Sequence, residues 1–116
     1  MKDINKLYHN DFGISFFWKC KIQRKNSLVE LVFRDTGLSL RCDEIETMYL
    51  IVKSIVKKPS LCMDCKKNRG CKSLLLEIPN TKVSFAMSFQ EMTEMLDLLK
   101  GTLFQLELIS LIKLEI

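Results

Sequence analysis

The segment LVELVFRDTGLSLRCDEIETMYLIVKSIV, residues 28–56, decides the fold. Val29, Leu31 and Phe33 alternate with Glu30, Val32 and Arg34, which predicts a strand over 28–34 with one apolar face. Asp35-Thr36-Gly37 reads as a tight turn, since Asp bonds its own following backbone and Gly accepts positive φ. Residues 38–41 return as a strand. Asp43 then reads as a helix N-cap, with Glu46 three residues later in the manner of a capping box. Ile45, Met48, Tyr49, Val52, Ile55 and Val56 follow at helical spacing, and the helix should stop before Pro59.

The same order returns 45 residues later. Residues 73–78 read as a strand, Pro79-Asn80-Thr81-Lys82 as a turn, and 83–87 as a strand. Ser88 and Glu91 form a capping box before Met92, Met95, Leu96, Leu99, Leu103 and Leu106. Val29, Leu31 and Phe33 fall on Leu74, Leu76 and Ile78, Leu38 and Leu40 on Val83 and Phe85, and Asp43 on Ser88. The expectation is a repeated strand–turn–strand–helix unit.

Ahead of these units, residues 14–22 alternate, with Ile14, Phe16, Trp18, Cys20 and Ile22 on one face, read as the core face. Phe17 then points outward. Residues 1–12 read as a polar lead-in. The predicted fold class is α+β: one domain over 1–116, in the order βββαββα. It is a two-layer sandwich of an antiparallel sheet of about five strands with two helices on one face. The other sheet face should carry Lys19, Lys21, Glu30, Arg34, Ser39, Arg41, Glu77 and Ser84.

At 116 residues the chain has room for one ordinary core. Its 47% hydrophobic and 28% charged residues argue against disorder. No secretory signal and no uncharged apolar run of membrane-spanning length is present. Five cysteines, an odd number, fit a reducing, cytoplasmic setting better than a disulfide scaffold.

Cys62, Cys65 and Cys71 stand in a C-x2-C-x5-C arrangement inside the only long irregular stretch, 57–72. Three thiolates converging on a point suit a structural Zn²⁺, which wants four tetrahedral ligands. Cys20, Cys42 and His9 are the candidates for the fourth. Cys20 and Cys42 also read as small buried hydrophobes, and His9 as a solvated side chain. Redox-active or inert thiols are the alternatives. Lys57, Lys58, Lys66, Lys67, Arg69 and Lys72 surround the cluster. They suggest either an anion site for nucleic acid or phosphate, or a solvated basic skin. The net charge of +4 permits an anionic partner without demanding one.

No phosphate-cradling glycine loop, metalloprotease motif or nucleophile elbow occurs, and the single histidine lies in the lead-in. No catalytic constellation is found, so the expected function is a non-enzymatic binding or interaction module. From Leu98 onward apolar residues surround the helical wheel. Leu99, Leu103 and Leu106 lie on one side, and Phe104, Leu108 and Leu111 on another. A homodimer through this helix is the economical reading. The alternative is a helix broken after Gly101 that folds back on the domain.

Gly13-Ile14 before the Cys20 strand, the second strand ending in Phe33, and Ser88-Phe89-x-Glu91-Met92 resemble a small uncharacterised single-domain family found in Bacteroidota. The resemblance implies a bacterial single-domain protein and carries no activity. Paired cysteines near the first strand are common in such relatives. Here only Cys20 stands there.

Overall fold

The structure, a computed structural model, describes residues 4–18, 28–58 and 74–115. Strands β1 (Ile4–His9), β2 (Gly13–Trp18), β3 (Val29–Phe33) and β4 (Thr36–Leu40) form an antiparallel meander in the order β1-β2-β3-β4. Helix α1 (Cys42–Lys57) follows. Strands β5 (Leu74–Glu77) and β6 (Ser84–Met87) pair as a separate hairpin, and helix α2 (Phe89–Glu115) closes the order. The α+β class and the two helices are as expected from sequence. The single five-stranded sheet is not: among the described residues six strands form two sheets.

The extra strand is β1, which lies where a polar lead-in was expected. Its pattern hides because the register against β2 slips at Leu7, a β-bulge: Lys6 faces Phe16 and Tyr8 faces Ser15. The bulge lets two consecutive residues serve the core. Leu7 is buried and Tyr8 packs against the buried cluster.

The expectation for β2 fails at Phe17 and Trp18, while Phe16 is buried as expected. Phe17 is 5% exposed and belongs to the core, whereas Trp18 is 41% exposed and stands edge-to-face on Phe16. Hydrophobicity misleads here because small residues face the helix layer. A Cβ on Gly13 would stand 2.4 Å from the Val32 carbonyl oxygen and 3.1 Å from a Leu98 methyl. Ser15 is fully buried beside Thr102 of α2. Close approach of α2 requires small side chains at Gly13 and Ser15, and Phe17 continues that face into the core.

Two turn details also differ. The β3–β4 turn is Arg34-Asp35, one residue earlier than read, and the positive φ of 53° falls on Arg34, while Gly37 lies within β4. The α1 cap is Arg41, not Asp43. The Glu44 carboxylate reaches back to accept from the Arg41 backbone N–H at 2.9 Å. At α2 the expected box is present. Ser88 Oγ accepts from the Glu91 N–H at 3.0 Å, and Glu91 Oε1 accepts from the Ser88 N–H at 3.0 Å.

With these corrections the two ββα units superpose in sequence more closely than a uniform shift of 45 allows. Buried Val29, Leu31 and Phe33 match buried Leu74, Leu76 and Ile78 at 45. After the turn, which is two residues longer in the second unit, the shift becomes 47. Leu38 and Leu40 then match Phe85 and Met87, and the box Arg41/Glu44 matches Ser88/Glu91. Ile45, Met48 and Val52 match Met92, Met95 and Leu99, all six fully buried. The core lies between these strand faces and the two helices.

Candidate functional site

The repeat sets a natural length for its helix. The last residue of α1, Lys57, corresponds to Phe104 at the shift of 47. Helix α2 runs on to Glu115 without a break at Gly101, so the alternative of a segment folding back does not hold. Among the described residues the continuation has no counterpart in the first unit. Leu106 and Ile109 use one side of it against the core.

The opposite side stays bare. Phe104 is 56% exposed, Leu108 38% and Leu111 53%. At i, i+4 and i+7 these side chains make one stripe along the helix. Lys100 lies one turn before the stripe and Glu107 beside its middle, both exposed. Neither forms an ion pair with another described residue.

Beside the stripe, an open groove of 580 Å³ runs between the first turns of α1 and the continuation of α2. Leu103 and Leu106 supply its apolar wall, and Cys42, Glu46, Glu107 and Ser110 its polar one. Burial is the largest cause raising the Cys42 thiol above its ordinary pKa, with the Glu46 and Asp43 carboxylates adding to it.

Among the other sequence-derived site residues, His9 is exposed at the end of β1 opposite Ile14, and Cys42 is exposed in the first turn of α1. No group of three or more His, Cys, Asp or Glu among the described residues is arranged to hold a metal ion. Lys57 and Lys58 are exposed at the end of α1. Cys20, Cys62, Cys65, Cys71, Lys66, Lys67, Arg69 and Lys72 lie outside the described residues, as do Lys19 and Lys21.

On the side of β2 opposite Phe17, Trp18 is exposed and Phe16 beside it is buried, with Lys6 paired across from Phe16 on β1. Ser39 donates to Glu30 there at 2.6 Å. Of the residues expected on this face, Arg34 and Arg41 instead serve a turn and a cap. Glu77 and Ser84 pair on the exposed side of the β5–β6 hairpin. The exposed Trp18 was missed because its alternation with Phe16 is indistinguishable from that of a core face.

Comparison with known proteins finds no matching protein-family model, curated protein or solved structure, and none of these results bears on the Bacteroidota resemblance. No helix among the described residues is long and apolar enough to cross a membrane.

Proposed function

We propose that this chain is a non-enzymatic interaction module that pairs with a second copy of itself through Phe104, Leu108 and Leu111. One observation carries the reading. The second ββα unit continues its helix past the last described residue of the first unit's helix, and from Phe104 onward it presents an exposed apolar stripe. A helix that only had to close the core would be polar on that side.

Six half-exposed apolar side chains, three from each copy, contribute on the order of 5 kcal/mol when buried. Association itself costs a comparable amount. The dimer is accordingly weak and concentration-dependent. Sedimentation velocity of the full chain from low micromolar to several hundred micromolar tests it. The expected result is a monomer–dimer equilibrium that Leu108→Glu abolishes without lowering the melting temperature, because Leu108 is not part of the buried cluster. A chain that stays monomeric over the whole range overturns the reading.

A further inference from the structure

In the first ββα unit, β2 pairs along the edge of β3, with Phe16 opposite Glu30 and Ile14 opposite Val32. At the shift of 45, Glu30 and Val32 correspond to Leu75 and Glu77 of β5. The Ile78 N–H donates to the Val83 carbonyl at 3.0 Å, and bonding alternates along an antiparallel ladder. Leu75 and Glu77 therefore turn their N–H and C=O groups away from β6. Ala86, opposite Leu75, does the same on the other edge, where Arg34 donates to its carbonyl at 2.8 Å. On the β5 edge no described strand pairs with Leu75 or Glu77. The edge also lacks the usual guards. Residues 74–77 read Leu-Leu-Leu-Glu, with no lysine, proline or bulge, and Leu75 is 62% exposed. Strand β1, at the outer edge of the meander, has both a bulge and Lys6.

Helix α1 carries a second, independent sign of the same kind. Helix α2 covers β1 and β2 with Asp97, Leu98, Gly101 and Thr102. Asp97 accepts from Tyr8, Leu98 stands over Gly13, Gly101 lies against the Tyr8 ring, and Thr102 bonds Ser15. At the shift of 47 these four correspond to Leu50, Ile51, Ser54 and Ile55 of α1. A small residue again stands among larger ones. Here, however, Leu50 is 63% exposed, Ser54 is exposed, and Ile51 and Ile55 are only half-buried. We propose that the β5 edge and this face of α1 together receive an extended strand of a partner polypeptide, antiparallel to β5. Strand β2 is the template for its chemistry. Residues in the places of Gly13 and Ser15 face Ile78 and Leu76 and are small, as they are where α2 passes over β2. The residue in the place of Ile14 faces Glu77, which is exposed and forms no ion pair with another described residue, so lysine or arginine fits there. This surface is separate from the Phe104 stripe and does not depend on self-pairing.

The probe is a synthetic peptide of residues 4–18 of this chain, which carries the β1 and β2 sequences, and a second peptide with Ile14→Lys. Hydrogen exchange of the full chain at low micromolar concentration is read residue by residue, with peptide added to about millimolar. In the free chain the Leu75 and Glu77 amides should exchange freely while Leu76, bonded across the hairpin, stays protected. Either peptide should slow Leu75 and Glu77 at least roughly tenfold. The Ile14→Lys peptide should bind about threefold more tightly, an advantage that Glu77→Gln in the full chain removes. Leu75→Pro takes away an edge donor without removing a bond to β6, and should abolish the protection of Glu77. Ser54→Trp, at an exposed position of α1, should abolish it too, with an unchanged melting temperature. Exchange at Leu75 and Glu77 that neither peptide slows overturns the inference. Protection already present in the free chain overturns it as well: independent of concentration, it means that the chain covers its own edge; growing with concentration, that a second copy does.

Discussion

The Ser15 and Thr102 hydroxyls lie 2.6 Å apart in the fully buried contact between β2 and α2. Thr102 also lies 2.7 Å from the Leu98 carbonyl, and the arrangement with the shorter bonds has Thr102 donating to Leu98 and Ser15 donating to Thr102. The Ser15–Tyr8 carbonyl contact, at 3.4 Å, is accordingly long. Ser15→Ala should cost about 1–2 kcal/mol, leaving the Thr102 oxygen short of a donor. Thr102→Val should cost a similar amount. The double variant should cost less than the sum, because removing both partners leaves no orphan. A double-mutant cycle in urea checks this, and strict additivity would count against the pairing.

Gly101 is the place where α2 lies closest to β1. A Cβ there would come within 2.5 Å of the Tyr8 ring, at its root, where the side chain cannot swing aside. Gly101→Ala should therefore destabilise by about 1–3 kcal/mol, although alanine is by about 1 kcal/mol the better helix former. Adding Tyr8→Ala should make the alanine neutral or favourable at position 101. Thermal melts of the three variants decide the matter.

Arg34 holds a left-handed backbone conformation and spends its side chain on the second unit. Its guanidinium donates to both Glu91 carboxylate oxygens, at 3.0 and 2.7 Å, and to the Ala86 carbonyl at 2.8 Å. Arg34→Ala loses these bonds and keeps the backbone strain. Arg34→Gly loses them and relieves it. The glycine variant should be the more stable of the two by about 1 kcal/mol, an inversion of the usual glycine penalty. Urea midpoints in the reverse order would refute the role given to the turn.

Acid should loosen the start of α1. The Glu44 carboxyl is held below its ordinary pKa of 4.5, first by the Arg41 backbone N–H and next by the Asn80 side chain at 3.0 Å. A depressed carboxyl pKa contributes stability above pH 4.5 that is lost as the pH falls through the lower folded value. Glu44→Gln should be less stable than wild type at neutral pH, and the gap should close toward strong acid. Stability curves that run parallel from pH 7 to pH 2 would show that Glu44 does not contribute this term.

Much of this architecture was legible because propensity and packing agree in the repeated units. The Ser88/Glu91 box, the buried spacings Ile45-Met48-Val52 and Met92-Met95-Leu99, and the strand triplets 29-31-33 and 74-76-78 all matched. The α1 cap was missed because arginine is a poor N-cap type and the capping contact comes from Glu44 inside the helix. The strand β1 was missed because the bulge at Leu7 breaks its alternation. The core side of β2 was misjudged at Ser15 and Phe17 because close helix packing selects a small polar residue at Ser15, which a hydrophobicity reading assigns to solvent. The stripe Phe104-Leu108-Leu111 was readable as an excess of apolar residues. Its meaning came only from seeing where the first helix ends.

The buried hydroxyl pair also has a consequence for biosynthesis. Ser15 and Thr102 are 87 positions apart. A ribosome adding about 5–20 residues per second takes on the order of ten seconds to make the second after the first. During that interval β1 and β2 are complete as sequence but have no helix to close over them. The meander's apolar inner face stays open to chaperones and to other nascent chains until α2 emerges. Closure therefore couples β1 and β2 to a helix made well after them.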